Sequence, residues 1–253
     1  QNCVIAQLDG DLIGYLIVVP ELPIKRVVLE GGMAAGGDFE AGWEQLLNWG
    51  IARGRTIGAL TAHFSVQDNS TNLVDILKNY GFRHVRSYWK MRCEKKSEFG
   101  IDALRELSTR TFGMGDEILL AEIQNASFSG QWGFCPNTPD QIYHRVHMTG
   151  ASPSDVIFLL QEQEVVGYCW TRMEGIRNDR TGFISMIGVH PTYRGSGLGR
   201  ETLLAGMDHL WAEGVNAVEL EVDSVNDPAR EMYLSVGYLK SGDIFWYERL
   251  LDG

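Results

Sequence analysis

Cysteine is scarce in this chain: four residues in 253, at Cys3, Cys93, Cys135 and Cys169. They lie far apart and show no metal-ligand spacing, so no metal is expected, and a reduced, cytoplasmic setting fits them best. Positive charge is also short. Lys and Arg number 22 against 33 Asp and Glu, which leaves a formal net charge of −11. Such a surface repels polyanions and argues against nucleic acid as a partner. Long apolar runs are missing too. The longest, "LIGYLIVVP" at Leu12–Pro20, is too short to span a bilayer as a helix, so no membrane association is expected. No cleavable signal pattern is read, and the chain opens on Gln1 rather than methionine, as expected where upstream residues are missing. What remains is ordinary globular composition, 44% hydrophobic and 22% charged, in a length that suits one large domain or two small ones.

The order of patterns along the chain favours two. "IAQLDGDLIGYLIVV" reads as a hairpin turning at Asp9-Gly10-Asp11, and "VIFLLQEQEVVGYCWTRM" reads the same way much later. Each second strand carries a Gly-Tyr pair, Gly14-Tyr15 and Gly167-Tyr168. The strands "RVVLEGG" and "GFISMIGVH" follow, each leading into a glycine-rich loop and an amphipathic helix. Those helices are expected at Glu40–Arg53 and Gly197–Glu213, ending at Gly54 and Gly214. The strands "TIGALTAHF" and "NAVELEV" come next, then short helices running into "NYGF" and "SVGY". Gly37 and Gly197, Gly54 and Gly214, and Leu60 and Leu220 are each 160 residues apart. We read two copies of one α/β unit. The copies are unequal: the second has two extra helices, one capped at Asp116, the other with Thr138 as N-cap and Pro139 in its first turn.

A strand, a glycine loop and a helix in succession offer several backbone N–H groups to an anion. In "GVHPTYRGSGLGRETLL" the loop is Arg194-Gly195-Ser196-Gly197-Leu198-Gly199-Arg200, and its two arginines add positive charge to an acidic protein. A phosphorylated ligand is the natural inference; a flexible turn without a ligand is the plain alternative. The loop is not a nucleoside-triphosphate loop, which ends Gly-Lys-Ser/Thr where this one ends Gly199-Arg200-Glu201. Nor is it a dinucleotide fingerprint, because the third small residue is replaced by Arg200 or Thr202, depending on the glycine counted from.

Arg194 to Gly199 resembles the Arg/Gln-x-x-Gly-x-Gly/Ala signature of the GNAT acyltransferase superfamily, and the approach through Gly188-Val189-His190-Pro191 is similar as well. "VNDPAREMYLSVGY" resembles that family's second hallmark, with Asn226, Ala229, Tyr233 and Gly237-Tyr238 at matching spacings. The likeness covers Ile101–Leu251, and the tandem layout resembles the mycothiol synthase type of double-GNAT protein. It implies an α/β fold of two GNAT-like domains, each a mixed central sheet flanked by helices: a truncated or degenerate domain at 1–96 and a complete one at 97–253. It further implies that acetyl-CoA, as co-substrate, rests its pyrophosphate on the N–H groups of Arg194, Gly195, Ser196, Gly197, Leu198, Gly199 and Arg200. The pantetheine arm would then pair with Ile187 and Val189 between splayed strands, and an N–H at Gly188 or Val189 would polarise the thioester. Asn226 and Ala229 would complete the cofactor contacts, and Tyr233 would both touch the cofactor and protonate the leaving thiolate.

Two of these roles have structural alternatives: Asn226 as a helix cap, and Tyr233 as a packing residue. The general base is open. Where some relatives carry a carboxylate, this chain has Phe183, Ile184 and Ser185. Glu219, Glu221 and Asp223 alternate on one strand face, and Glu221 is the favoured base against the alternative of a solvated face. Glu174 and His190 are further candidates, and Trp132 and Phe134 would either wall the acceptor pocket or pack against the other domain. The first copy has Met33-Ala34-Ala35-Gly36-Gly37-Asp38 at the loop and Leu77 in place of Tyr233, so it is expected to be non-catalytic. The expected activity is transfer of acetyl to a primary amine of a small molecule or peptide. A non-catalytic acyl-CoA-binding module is the alternative.

Overall fold

The computed structural model describes residues 2–34, 39–68, 70–94, 106–176 and 179–251. By their contacts the residues fall into two units, Gln1–Trp89 with Gly242–Gly253, and Lys90–Ser241.

The first unit opens with β1 (Cys3–Leu8) and β2 (Asp11–Glu21), an antiparallel hairpin. Asp9 and Gly10 form its turn with φ of 51° and 92°, the left-handed pair that matches strand twist. β3 (Arg26–Met33) pairs antiparallel with β2, then α1 (Phe39–Thr56) crosses over to β4 (Thr61–Gln67), parallel to β3. α2 (Thr71–Asn79) and β5 (Arg83–Cys93) follow. Trp43, Leu46, Leu47 and Ile51 recur at helical spacing on α1 and close over Leu16, Val27, Leu29 and Phe64 of the sheet. Each such side chain contributes about 1.5–3 kcal/mol when fully buried.

The second unit contains β6 (Leu107–Thr111), α3 (Glu117–Phe128), α4 (Pro139–Val146), β7 (Val156–Gln161), β8 (Glu164–Ile176), β9 (Asp179–Val189), α5 (Leu198–Ala212), β10 (Ala217–Asp223) and α6 (Asp227–Val236); β11 (Leu239–Leu250) begins in it. β6 to β9 are successively antiparallel, and α5 is the crossover that makes β10 parallel to β9. α5 lies very close to β8. A Cβ at Gly206 would sit 2.1 Å from the Cys169 sulfur, and one at Gly167 would sit 2.5 Å from Thr202 Oγ1. Thr138 caps α4 in a reciprocal box with Gln141, as expected. Asp116 stands at the N-cap position of α3 but makes no cap bond; its carboxylate is held by Arg110 and the Gly113 N–H.

The last strand of each copy sits elsewhere than chain order suggests. In the first unit the strand beside β4 is β11, paired antiparallel from Thr61↔Leu250 to Gln67↔Ile244. In the second unit the strand beside β10 is β5. Tyr247 and Leu251 therefore belong to the first unit's core, and Lys90 and Arg92 to the second unit. The expected boundary at 96/97 lies outside the described residues. The contacts divide the chain at Trp89/Lys90 instead and return Gly242–Gly253 to the first unit, because of this pairing.

The two units share an order of elements, and the elements align at an offset of 156 residues rather than the expected 160. Gly32 and Gly188 face Tyr15 and Tyr168 across their hairpins. Gly58 and Gly214, the left-handed glycines just past α1 and α5, are 156 apart, as are Gly81 and Gly237 after α2 and α6. Gly54 is not a helix end. It lies inside α1, where a Cβ would sit 2.8 Å from Leu251 and 3.1 Å from Val27. Leu60 precedes β4, whereas Leu220 lies within β10. Gly37 is outside the described residues.

Candidate functional site

The site expected from the sequence lies in the second unit, where β9 ends and α5 begins. β9 carries one residue more than β8 opposite it: Met186 faces Trp170 and Ile184 faces Thr171, so Ser185 is a bulge. A bulge bends its strand. Directly there the ladder with β10 stops: paired residues run Thr181–Ile184 against Ala217–Leu220, although β9 continues to Val189 and β10 to Asp223. The expected splay is present. Amide groups alternate sides along a strand. His190 N–H donates to Val166 O on the β8 side, so Ile187 and Val189 turn their amides toward the gap and Gly188 turns its own toward β8. Of the two N–H groups expected near the thioester, Val189 is the one that faces the gap. Gly188 instead permits packing, since a Cβ there would lie 2.8 Å from Ser127 and 2.9 Å from Tyr168.

The chain then makes a tight turn at Pro191–Tyr193, where the His190 ring accepts the Thr192 N–H at 3.4 Å. His190 is therefore a turn cap. Gly195 and Gly197 take φ of 80° and 84°, which L side chains rarely adopt. Ser196 Oγ donates to Tyr193 O at 2.8 Å, and Tyr193 OH donates to Glu164. Gly197 is the N-cap of α5 and brings no side chain to occupy the helix end, whose backbone donors and dipole are suited to an anion. Leu198 is buried and anchors the first turn; Gly199 and Arg200 are half-buried.

The arginines differ. Arg200 lies on the first turn of α5, 3.7 Å from Glu201. Arg194 points back into the protein: its Nε donates to Val189 O at 3.3 Å and its Nη2 to Ser127 O at 2.5 Å. Arg194 thus ties the loop to the ends of β9 and α3 while remaining exposed. Ser127, which sequence reading missed, is 3% exposed, and its hydroxyl has no partner among the described residues. The signal available was only its place in a helix that ends before Gly130.

Asn226 caps α6, its Oδ1 accepting the Ala229 N–H at 3.3 Å. The cap role is therefore present, and the Ala229 N–H is engaged in it. Tyr233 is 5% exposed and packs on Tyr238 with ring centroids 5.9 Å apart. Burial, helped by nearby Cys169, pushes its phenol above the ordinary tyrosine value, so it holds its proton at neutral pH. On β10 the acids do share the face opposite the buried Val218, Leu220 and Val222. Glu219 is bound by Arg92 at 2.7 Å and Lys90 at 3.0 Å. Burial raises its pKa, but these hydrogen bonds outweigh that and hold it below the ordinary range. Glu221 goes the other way. Its side chain reaches solvent, yet the surrounding protein strips enough water to raise its pKa; Arg172 and Lys90 oppose the shift, and Glu219 and Glu174 reinforce it. A raised carboxylate is the kind that serves as a base near neutrality. Glu174 is paired with Arg172 at 2.9 Å. Phe134 stacks on Phe128 at 5.3 Å, and Trp132 is half-buried in the same segment.

Residues 118–238 match the profile of the Acetyltransferase (GNAT) family. A mycothiol acetyltransferase of Nocardia farcinica is 26% identical over 250 residues, spanning 92% of this chain and 78% of its own length. One of Pseudarthrobacter chlorophenolicus is 28% identical over 236 residues, spanning 91% and 72%. Among solved structures, a tandem GNAT protein from the clavulanic acid biosynthesis pathway aligns with all of this chain and 84% of its own at TM-score 0.77 and 13% identity. A GCN5-related N-acetyltransferase from Sphaerobacter thermophilus aligns with all of this chain and 82% of its own at TM-score 0.75 and 20% identity. At those identities the structures speak for the fold, an α/β arrangement of mixed sheet and flanking helices. The sequence matches speak for descent: residues 118–238 carry a domain of the GNAT acetyltransferase family, and the chain as a whole resembles mycothiol acetyltransferases.

Proposed function

We propose that the second unit moves an acetyl group from acetyl-CoA to a primary amine by direct attack on the thioester. The observation that carries this reading is the bare N-terminal end of α5, set where β9 parts from β10. The diphosphate would rest on the N–H groups from Gly195 to Gly199, with the Arg200 guanidinium beside it, because the Arg200 N–H donates to Gly197 O at 3.1 Å and the Arg194 N–H to Pro191 O at 3.3 Å. Arg194 would hold the loop in shape. The pantetheine arm would lie along Ile187 and Val189, with Asn226 turning its amide nitrogen toward it.

In the reaction, the amine nitrogen attacks the thioester carbon, and the Val189 N–H stabilises the oxyanion that forms. Glu221 takes the ammonium proton, directly or through water. Collapse breaks the carbon–sulfur bond, and Tyr233 gives its proton to the departing thiolate. The first unit would be a copy without this machinery. α1 starts one turn earlier than α5 does relative to their common end, so Phe39 and Glu40 are already helical where the second unit has its loop.

Coenzyme A release measured over a panel of amines tests the reading, beginning with mycothiol-type acceptors because the relatives carry that name. Turnover with at least one amine is expected. Binding of acetyl-CoA without any turnover would replace the enzyme with an acyl-CoA-binding module.

A further inference from the structure

We propose that the acceptor is an amine that also carries a carboxylate, as a free amino acid or short peptide does, and that Arg172 is the residue that selects it. This rests on acetyl transfer by the second unit and names the class of amine.

The residues concerned share the sheet face turned away from α5. A Cβ at Gly182 would sit 2.9 Å from Leu210 of α5, so the next residue, Phe183, points to the opposite face. Glu219 and Glu221 lie on that face too, opposite the buried Val218, Leu220 and Val222. Strand register puts Arg172, Phe183 and Glu219 in one row across β8, β9 and β10. The Arg172 guanidinium lies over the Phe183 ring, 4.0 Å from its centroid. Helical cover ends one step before this row. The paired Trp170 and Met186 pack against the core that α3 and α4 build, whereas Arg172 and Glu221 are exposed and Phe183 is half-buried. Glu221 stands beyond the last ladder pair, Leu220 with Ile184, on the part of β10 that has left β9.

Two groups of opposite sign are thus on offer. Glu221 forms no hydrogen bond or ion pair among the described residues, and its role is to meet the amine. Arg172 spends its Nε on Glu174 at 2.9 Å and its flat face on Phe183; its two Nη atoms have no acceptor among the described residues. A guanidinium held flat presents those two donors as a fork, which matches the two oxygens of a carboxylate. Of the charged groups that act on Glu221, Arg172 acts most strongly. Two strand spacings, about 10 Å, separate their backbones, and both side chains shorten that span. One small molecule can therefore place its ammonium at Glu221 and its carboxylate at Arg172. A phosphate suits the place less well, because Glu174 and Glu221 flank the guanidinium and repel a dianion twice as strongly.

Coenzyme A release by the whole chain tests this with amino acids and dipeptides, each beside its own carboxamide, and with phosphoethanolamine, spermidine and glucosamine. The expected kcat/KM is about tenfold higher for the carboxylate than for its amide, the yield of a charge-assisted pair that stays half exposed. The difference should lie in KM, since Arg172 holds a group remote from the reacting carbon. In Arg172→Gln the ratio should fall to one or below, and Arg172→Lys, which keeps the charge without the fork, should stand between. The ratio is the readout because any effect on Glu221 acts on both members of a pair alike. A wild-type ratio of one or below, a ratio unchanged in Arg172→Gln, or preference for phosphoethanolamine overturns the proposal. Release with spermidine or glucosamine alone also overturns it and leaves acetyl transfer standing; release with none of the amines removes both.

Discussion

At the residue scale, two acids on the same strand face have opposite fates. Glu219 is lowered by Arg92 and Lys90, whereas Glu221, two residues on, is raised by its surroundings. For Glu219 the folded pKa lies below the unfolded value, so its contribution is present above the unfolded pKa and is lost as pH falls through the folded one. Glu219→Gln should therefore destabilise the protein at pH 7 by about 1–3 kcal/mol, as loss of charge-assisted bonds does, and by much less at pH 3. Denaturant melts at the two pH values read this. For Glu221 the sign reverses: the folded state binds its proton more tightly, so stability falls as pH rises through the raised pKa. Glu221→Gln should thus leave the fold as stable or more so at pH 7 while kcat/KM drops. The acid limb of the wild-type pH profile should lie above the ordinary Glu value of 4.5 and vanish in the variant. At Tyr233, replacement by Phe should lower kcat roughly 10²–10⁴-fold and leave acetyl-CoA affinity within twofold. Turnover within twofold of wild type would reduce Tyr233 to packing.

At the scale of elements, the loop before α5 and the close seat of α5 on β8 are separable. Gly197→Ala places a side chain at φ 84° on the helix's N-cap, so CoA affinity should fall at least tenfold by calorimetry while most of the fold's stability remains. Gly206→Ala drives a methyl to 2.1 Å from the Cys169 sulfur and should cost about 1–3 kcal/mol, partly recovered in Gly206→Ala/Cys169→Ala. Local patterns were readable where local physics decides them: the hairpin at Asp9-Gly10, the capping box at Thr138, the left-handed glycines at 195 and 197. They misled where one residue type serves two purposes. Gly54 reads as a helix end, but a glycine pressed against a strand inside a helix looks the same in sequence. Arg194 reads as a phosphate ligand, and nothing in the sequence foretells its bonds to Val189 O and Ser127 O. The bulge at Ser185 leaves no local signal at all, since an extra strand residue is defined by its neighbour.

For the whole molecule, the pairing of β4 with β11 was beyond sequence patterning, because nothing within either strand names its distant partner. Its effects are testable. A fragment beginning at 97 would lack Lys90 and Arg92, the partners of Glu219, and would keep β11 without β4. It should therefore be insoluble or show broad, non-cooperative melting by circular dichroism. A chain ending at Ser241 should lose the first unit's cooperative transition, because Tyr247 and Leu251 leave its core.

The same pairing sets an order of events during synthesis. The residues that complete the first unit are synthesised only after the whole of the second. Until they emerge, β4 presents an open edge, the kind of surface that chaperones shield and neighbouring nascent chains can capture. Maturation of the first unit is therefore timed by synthesis of β11, and a product that stops short of it leaves both units unfinished.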